Sequence, residues 1–411
     1  VSCIVIANES DLLSLPSFRY LNAINPFLTT TDPLVDSVSE HATTTIQQSF
    51  LFHSILMIFA GLGVWLIFSR KSSLNPPIIS NENISFSLII GMLGVYVSSA
   101  FVRLEVFASI SIIILSSIGL SVLIHKFMNK QSSQSKTNFV RTSSKILFIS
   151  GIAVLLLIPL IFPLNGNWVS ASSNPPTILN GGTSFTITTN DWRDSLEWIK
   201  QNTPEDSVIA SWWDYGYWIT TLSERSTLAD NATIHTSKIQ QIAKIFLNSP
   251  DQSWQMLNKL DVDYVVIFVA GQKLDIPSET PLYTLSGGGD ESKKQWFMRI
   301  ADEPLSKYLH SDGISGTDYF WDQTMLGQMF PFSLLGYVNP QNQQQQSTSY
   351  VPGFIPIYEK EITYPINEDG PFKLVYASSS FTEEKSGPMI GVFVYEVNKN
   401  YVVSTININD S

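Results

Sequence analysis

Four stretches of the chain are apolar almost without interruption, at residues about 47–69, 84–102, 104–124 and 146–164. Coiled as helices, segments of this length are long enough, or nearly so, to cross a hydrocarbon core of about 30 Å. The flanking charge supports spans over buried soluble helices. Arg70 and Lys71 follow the first run, while Lys126, Lys130, Lys136, Arg141 and Lys145 fill the connection between the third and fourth. The positive-inside tendency therefore predicts that residues 72–82 and 125–145 face the cytoplasm. The segment before residue 47, the turn at Arg103 and everything beyond Asn165 then share the outer side.

Past Asn165 the pattern changes to alternating apolar positions and polar loops, the texture of a water-soluble domain. Asp191–Pro204 reads as an amphipathic helix with Asn190 as N-cap and Pro204 as stop. Strands are predicted at 207–212 (SVIASW) and 264–269 (YVVIFV), with helices at about 236–247 and 251–260 between them. That alternation predicts an α/β core. The polar run QNQQQQSTSY (341–350) reads as a surface loop or linker, and the period-two stretches beyond it predict a small β-rich part packed on the core. The expected organisation is an outer loop (1–46), a multi-pass α-helical membrane region (47–164), an outer α/β domain (165–340) and a β-rich C-terminal subdomain (341–411).

A net charge of -11 excludes a phosphate-neutralising nucleic-acid surface. The single Cys3 excludes an internal disulfide framework and paired-cysteine zinc sites. The chain opens on Val1 with VSCIVIA, too short to span a bilayer, which reads as the outer end of a helix begun upstream.

The most specific chemistry follows the first predicted strand, where Trp212, Trp213, Asp214, Tyr215 and Gly216 run consecutively. Successive side chains of a regular strand point to opposite faces, so at least one tryptophan is expected to be exposed. Two indole N–H donors beside a carboxylate acceptor are suited to holding a small hydroxyl from both sides. A second constellation, Asp290 and Lys293 at D-x-x-K spacing, opens a predicted helix that continues through Phe297 and Met298. Arg103 stands at the outer end between two spans, where the positive-inside tendency disfavours it; its planar fork suits bidentate capture of phosphate oxygens. His41, His53 and His235 form no recognisable ligand spacing, and Asp261 and Asp263 read as turn and cap residues.

The unbroken WWDYG string resembles the signature of oligosaccharyltransferase catalytic subunits. The resemblance implies a GT-C type membrane protein, of which this chain would be a C-terminal part with the last four spans followed by the outer domain. It implies that Trp212, Trp213 and Asp214 bind the Ser or Thr hydroxyl two residues after the acceptor Asn, supported by Tyr215 and Gly216. Asp290 and Lys293 fit the family's D-x-x-K motif behind that pocket. Where the family has Met or Ile four residues after the lysine, this chain has Phe297, with Met298 next, and either could meet the Thr methyl. In NPFLTTTDPLVDSVSEHATTT, Glu40 matches a catalytic glutamate that holds the acceptor amide near a metal and could itself be a ligand. Arg103 matches the arginine that binds the phosphate of the lipid-linked glycan. The NPF…DPLVDSVSEH string is most similar to archaeal single-subunit members.

The implied reaction moves an oligosaccharide from a polyprenyl or dolichyl phosphate carrier to an asparagine amide in Asn-x-Ser/Thr. An amide nitrogen is a poor nucleophile because its lone pair is delocalised. Carboxylates bonded to both amide hydrogens weaken that conjugation, and a hard divalent cation, Mg²⁺ or Mn²⁺, stabilises the departing phosphate. The resemblance places the other metal-binding aspartates upstream of Val1. The implied partners are the lipid-linked donor, an acceptor polypeptide and the membrane, with no nucleic acid. Two other classes stay open: another polyprenyl-phosphate-dependent glycosyltransferase, and a membrane-anchored module that binds peptide or glycan without catalysis.

Overall fold

The computed structural model describes residues 33–38, 43–68, 81–129, 138–162, 167–233, 235–275, 278, 280–383 and 387–403. Two compact units result, Val1–Asn174 and Pro175–Ser411.

The N-terminal unit is helical. A capping box at Thr45, whose hydroxyl accepts from Gln48 N–H while the Gln48 side chain accepts from Thr45 N–H, starts α1 (Ile46–His53). Ser54 then takes a positive φ of 49°, and α2 (Ile55–Phe68) leaves at 100° to α1. The first expected span is therefore a broken pair rather than one straight helix. The second expected span is α3 (Asn81–Ser98), whose apolar part, Ser85–Ser98, is short. A 3₁₀ turn, Val102–Leu104, leads into α4 (Glu105–Asn129), followed by α5 (Asn138–Ile161). By length and composition, Val102–Met128 and Thr142–Ile161 are each sufficient to cross a membrane, and the bent pair would bring the count to three. Where four spans were expected, length and composition among the described residues support two, or three with the bent pair. The expected connection at 72–82 lies almost wholly outside them, as does the 130–137 part of the connection expected at 125–145.

Small residues set the helix spacing. A Cβ on Gly63 would run into the Leu115 carbonyl oxygen, and one on Gly119 into that of Phe59, so α2 and α4 cross with backbones nearly touching. Ala60, Ala108, Ile112 and Leu115 fill that crossing. Outward-facing residues such as Leu147, Val154 and Ile161 remain exposed, as lipid-facing positions do.

The C-terminal unit is built on a nine-stranded mixed sheet. Helix α6 (Asp191–Asn202) buries Trp192, Leu196 and Ile199, spaced as one helical face. Its expected cap is corrected: Asn190 makes no side-chain capping bond. Instead Asp191 in the first turn accepts from Ser380 N–H at 2.9 Å and Ser380 Oγ at 2.6 Å, tying the helix to a distant segment. Strands β1 (Val208–Ser211) and β2 (Ser226–Thr227) are parallel, and β1 is parallel to β3 (Tyr264–Lys273). Helices α7 (Thr236–Leu247) and α8 (Pro250–Lys259) make the crossover, as the alternation predicts. Residues 265–271 of β3 are all buried, which is why that stretch is a continuous apolar run instead of an alternating one.

The chain then adds β4 (Tyr283–Leu285), α9 (Lys294–Ala301), β5 (Phe332–Asn339), β6 (Asn342–Ser347), β7 (Ile355–Lys360), β8 (Phe372–Ala377) and β9 (Pro388–Val397). The expected boundary at residue 341 does not separate two bodies, because strands from both sides of it share the sheet. The last strand, β9, lies antiparallel to β3 from Tyr264 opposite Glu396 to Gln272 opposite Pro388. Nor is the glutamine run a plain loop. Asn342–Ser347 pairs with β5 as an exposed edge strand whose polar side chains discourage further pairing.

Candidate functional site

Strand β1 ends at Ser211, and the chain turns at once: Trp212 has φ -59° and ψ 138°, and Trp213–Tyr215 form a 3₁₀ turn. The alternation of a strand therefore stops before the tryptophans, and both are buried, with 2% and 5% exposure. The expectation that one would be exposed is corrected on that ground. Trp212 lies against Phe297 with ring centroids 4.0 Å apart, and Phe297 meets Phe246 edge-on. Gly216 closes the turn where no side chain fits, since a Cβ there would sit 2.5 Å from Asp230 Cα.

Asp214 and Lys293 carry the exposed part of the site. Lys293 Nζ donates to Asp214 Oδ2 at 2.8 Å and to Tyr215 Oη at 3.0 Å, and lies 4.8 Å from the Tyr215 ring centroid. Their side chains are 31% and 22% exposed, so this pair is only partly screened by solvent. Among the described residues nothing bonds the second Asp214 oxygen, and the Trp213 indole N–H is buried without an acceptor.

Behind this pair Asp290 is 1% exposed. Its carboxylate accepts from Tyr215 Oη at 2.7 Å and from Phe268 N–H at 2.8 Å, linking the 3₁₀ turn to the middle of β3. Burial pushes its carboxyl up to about 6, against the opposing pull of Lys293 and of its two hydrogen-bond donors. Tyr215 is pushed well above its ordinary value by burial and by the carboxylates of Asp290 and Asp214, so it stays a neutral donor. Directly beside the D-x-x-K pair in sequence runs a second one: Glu291 and Lys294 form a buried ion pair.

The structure thus brings Trp212, Trp213, Asp214, Tyr215, Gly216, Asp290 and Lys293 together. Phe297 and Met298 are both fully buried, with 0% exposure, so neither lines the surface. Arg103 lies in the N-terminal unit, exposed on its 3₁₀ turn. Glu40 falls outside the described residues. Among the described residues no group of three or more His, Cys, Asp or Glu side chains is placed to hold a metal ion. They therefore supply no ligand set for the expected Mg²⁺ or Mn²⁺.

Sequence reasoning missed Asn231. Its Nδ2 donates to the Asp214 carbonyl oxygen at 2.7 Å and its Oδ1 accepts from Tyr217 N–H at 3.1 Å, clamping the turn from below. A polar Asp-Asn pair just after a two-residue strand was its only signal.

Residues 204–278, which include the whole WWDYG turn and β3, match the STT3/PglB/AglB core domain. The dolichyl-diphosphooligosaccharide–protein glycosyltransferase subunit STT3 of Dictyostelium discoideum is 28% identical over 362 residues, covering 85% of this chain and 46% of that protein. This likeness supports the oligosaccharyltransferase catalytic family. The corresponding stt3 subunit of Schizosaccharomyces pombe is 28% identical over 305 residues, covering 66% of this chain and 37% of that one. The chain spans about half the length, or less, of these oligosaccharyltransferase subunits. Among solved structures, the archaeal oligosaccharyltransferase AglB from Archaeoglobus fulgidus, in complex with an inhibitory peptide and a dolichol-phosphate, is 14% identical. It covers 92% of this chain and 55% of that one, with a TM-score of 0.46.

Proposed function

We propose that this chain carries the acceptor-reading part of an oligosaccharyltransferase that moves an oligosaccharide from a polyprenyl or dolichyl phosphate carrier to asparagine in Asn-x-Ser/Thr. The observation that carries the reading is the Asp214–Lys293 pair, with one carboxylate oxygen unbonded and a buried indole donor next to it in sequence. A Ser or Thr hydroxyl is at once donor and acceptor, so it can satisfy both, whereas Ala leaves both unmet at a cost of roughly 1–3 kcal/mol per group. Discrimination would then arise from unpaired polar groups, a mechanism stronger than apolar fit.

In the same reading the helices form a multi-pass membrane region with the C-terminal unit on the outer side, as in the archaeal single-subunit type. Arg103 would bind the donor phosphate. Glu40 would hold the acceptor amide near Mg²⁺ or Mn²⁺, whose chemistry would be to stabilise charge on the departing phosphate.

The test is a double-mutant cycle in the full-length protein. Asp214→Ala should weaken Asn-x-Thr peptides strongly and change an already poor Asn-x-Ala peptide little, because each change removes the same interaction. A coupling energy near zero in a folded protein would sink the hydroxyl-reading role and leave the two other classes standing.

A further inference from the structure

The N-terminal unit buries titratable groups for which the outer pocket has no use. Glu105, the first residue of α4, is 4% exposed, and His53, the last residue of α1, is 3% exposed. Glu105 Oε1 accepts from Ser49 Oγ at 2.6 Å and lies 3.4 Å from His53 Nδ1. His53 Nδ1 is also 2.9 Å from the Ser49 carbonyl oxygen, and its Nε2 is 2.9 Å from Ser109 Oγ, which donates to the Glu105 carbonyl at 3.0 Å. Glu105 Oε2 is buried with no partner among the described residues.

This cluster joins two elements that are 56 residues apart where Ser49 meets Glu105. Burying a carboxylate is costly, and apolar packing of the same volume would give equal or greater stability. What a polar cluster adds is direction: hydrogen bonds fix the rotation of α4 about its axis, which apolar contacts leave looser. The residue whose aim depends on that rotation is Arg103, because its 3₁₀ turn, Val102–Leu104, runs straight into Glu105. A second tie acts nearby: Thr44 Oγ1, one residue before the cap of α1, donates to the Ser98 carbonyl at 2.8 Å, at the end of α3.

We propose that Glu105 and His53 are positioning residues that lock the start of α4 to α1 and so hold the Arg103 guanidinium in the attitude that captures a lipid-borne phosphate. The inference rests on the reading of Arg103 as the donor-phosphate residue. The experiment uses the full-length protein and measures KM for a polyprenyl-linked oligosaccharide, KM for an Asn-x-Thr peptide, and direct binding of polyprenyl phosphate without turnover. Glu105→Leu and His53→Leu should each raise the donor KM and the Kd for polyprenyl phosphate about tenfold, leave the peptide KM within about twofold, and in combination cost little more than either alone. Glu105→Gln still accepts from Ser49 and should restore most of the donor affinity, which a simple packing defect would not show. An unchanged donor KM, equal losses for donor and peptide, or additive effects in the double variant would overturn the proposal. Arg103→Leu, run alongside, separates the failures. If it weakens the donor while Glu105→Leu does not, the positioning role alone falls; if it leaves the donor unaffected, the phosphate reading of Arg103 falls and takes this inference with it.

Discussion

At the scale of single residues, the WWDYG turn holds a polar group left unsatisfied. The Trp213 indole N–H is buried without an acceptor, and such a group costs about 1–3 kcal/mol in a folded protein. Trp213→Phe removes that donor. We expect stability to change little, since lost apolar area is offset by removal of the unpaired N–H, while preference for Asn-x-Thr over Asn-x-Ala falls by about tenfold, roughly 1.4 kcal/mol. Competition kinetics between the two peptides measure it, and an unchanged ratio would move the hydroxyl contact to Asp214 alone. The residues of this pocket were legible because five of them are adjacent in sequence and two more share a helical turn. The buried state of both tryptophans was not, because it depends on the strand ending at Ser211, one residue before them. Asn231 was not legible either, since its contact with Asp214 crosses 17 residues and leaves no local pattern.

At the scale of elements, Asp290 couples the WWDYG turn to β3, and its titration reports on that coupling. Burial raises its carboxyl to about 6 in the folded protein, above the ordinary 3.8 of a free aspartate. Between those two values the folded protein keeps a proton that the unfolded chain has released. The contribution to stability is therefore full below the unfolded value and is lost as pH rises through the folded one, by on the order of 2–3 kcal/mol. Denaturant melts at pH 4.5 and 7.5 should show this fall in the parent and a flatter dependence in Asp290→Asn; parallel curves would mean that the carboxyl titrates normally. The element boundaries were read well where periodicity is local, as in α6, α7 and β3. The place of β9 was not readable, because a period-two strand states which face is buried but not which partner it takes. Its position predicts that deleting residues 341–411 will not leave a folded α/β core. With β3 bared along one edge, circular dichroism and proteolysis should show a collapsed, protease-sensitive fragment, whereas a stable fragment would mean that β1–β5 suffice.

At the scale of the whole molecule, the proposed topology makes a direct prediction. In sealed vesicles a membrane-impermeant thiol reagent applied from the outer side should label Gln345→Cys and fail to label Lys126→Cys, in a background with Cys3 replaced. The reverse result would remove the outer pocket from the side on which lipid-linked donors would have to be met. The charge asymmetry behind this proposed topology lies in the sequence alone. The break at Ser54 was not, since no glycine or proline marks it and a positive φ at serine is uncommon. The Glu105–His53 cluster was likewise hidden, because its members are scattered over two helices and none has a revealing neighbour.

The pairing of β3 with β9 also sets an order of events during synthesis. Ribosomes add residues one after another, so β3 is made well over a hundred residues before its antiparallel partner emerges. Throughout that interval β3 presents an apolar strand with one open edge, and Phe268 N–H and Asp290 hang from that unfinished scaffold. Such an edge is a template for pairing with the wrong chain. The WWDYG turn and its Asp290 tie are thus completed late, and a nascent chain stalled before Pro388 would display an aggregation-prone strand.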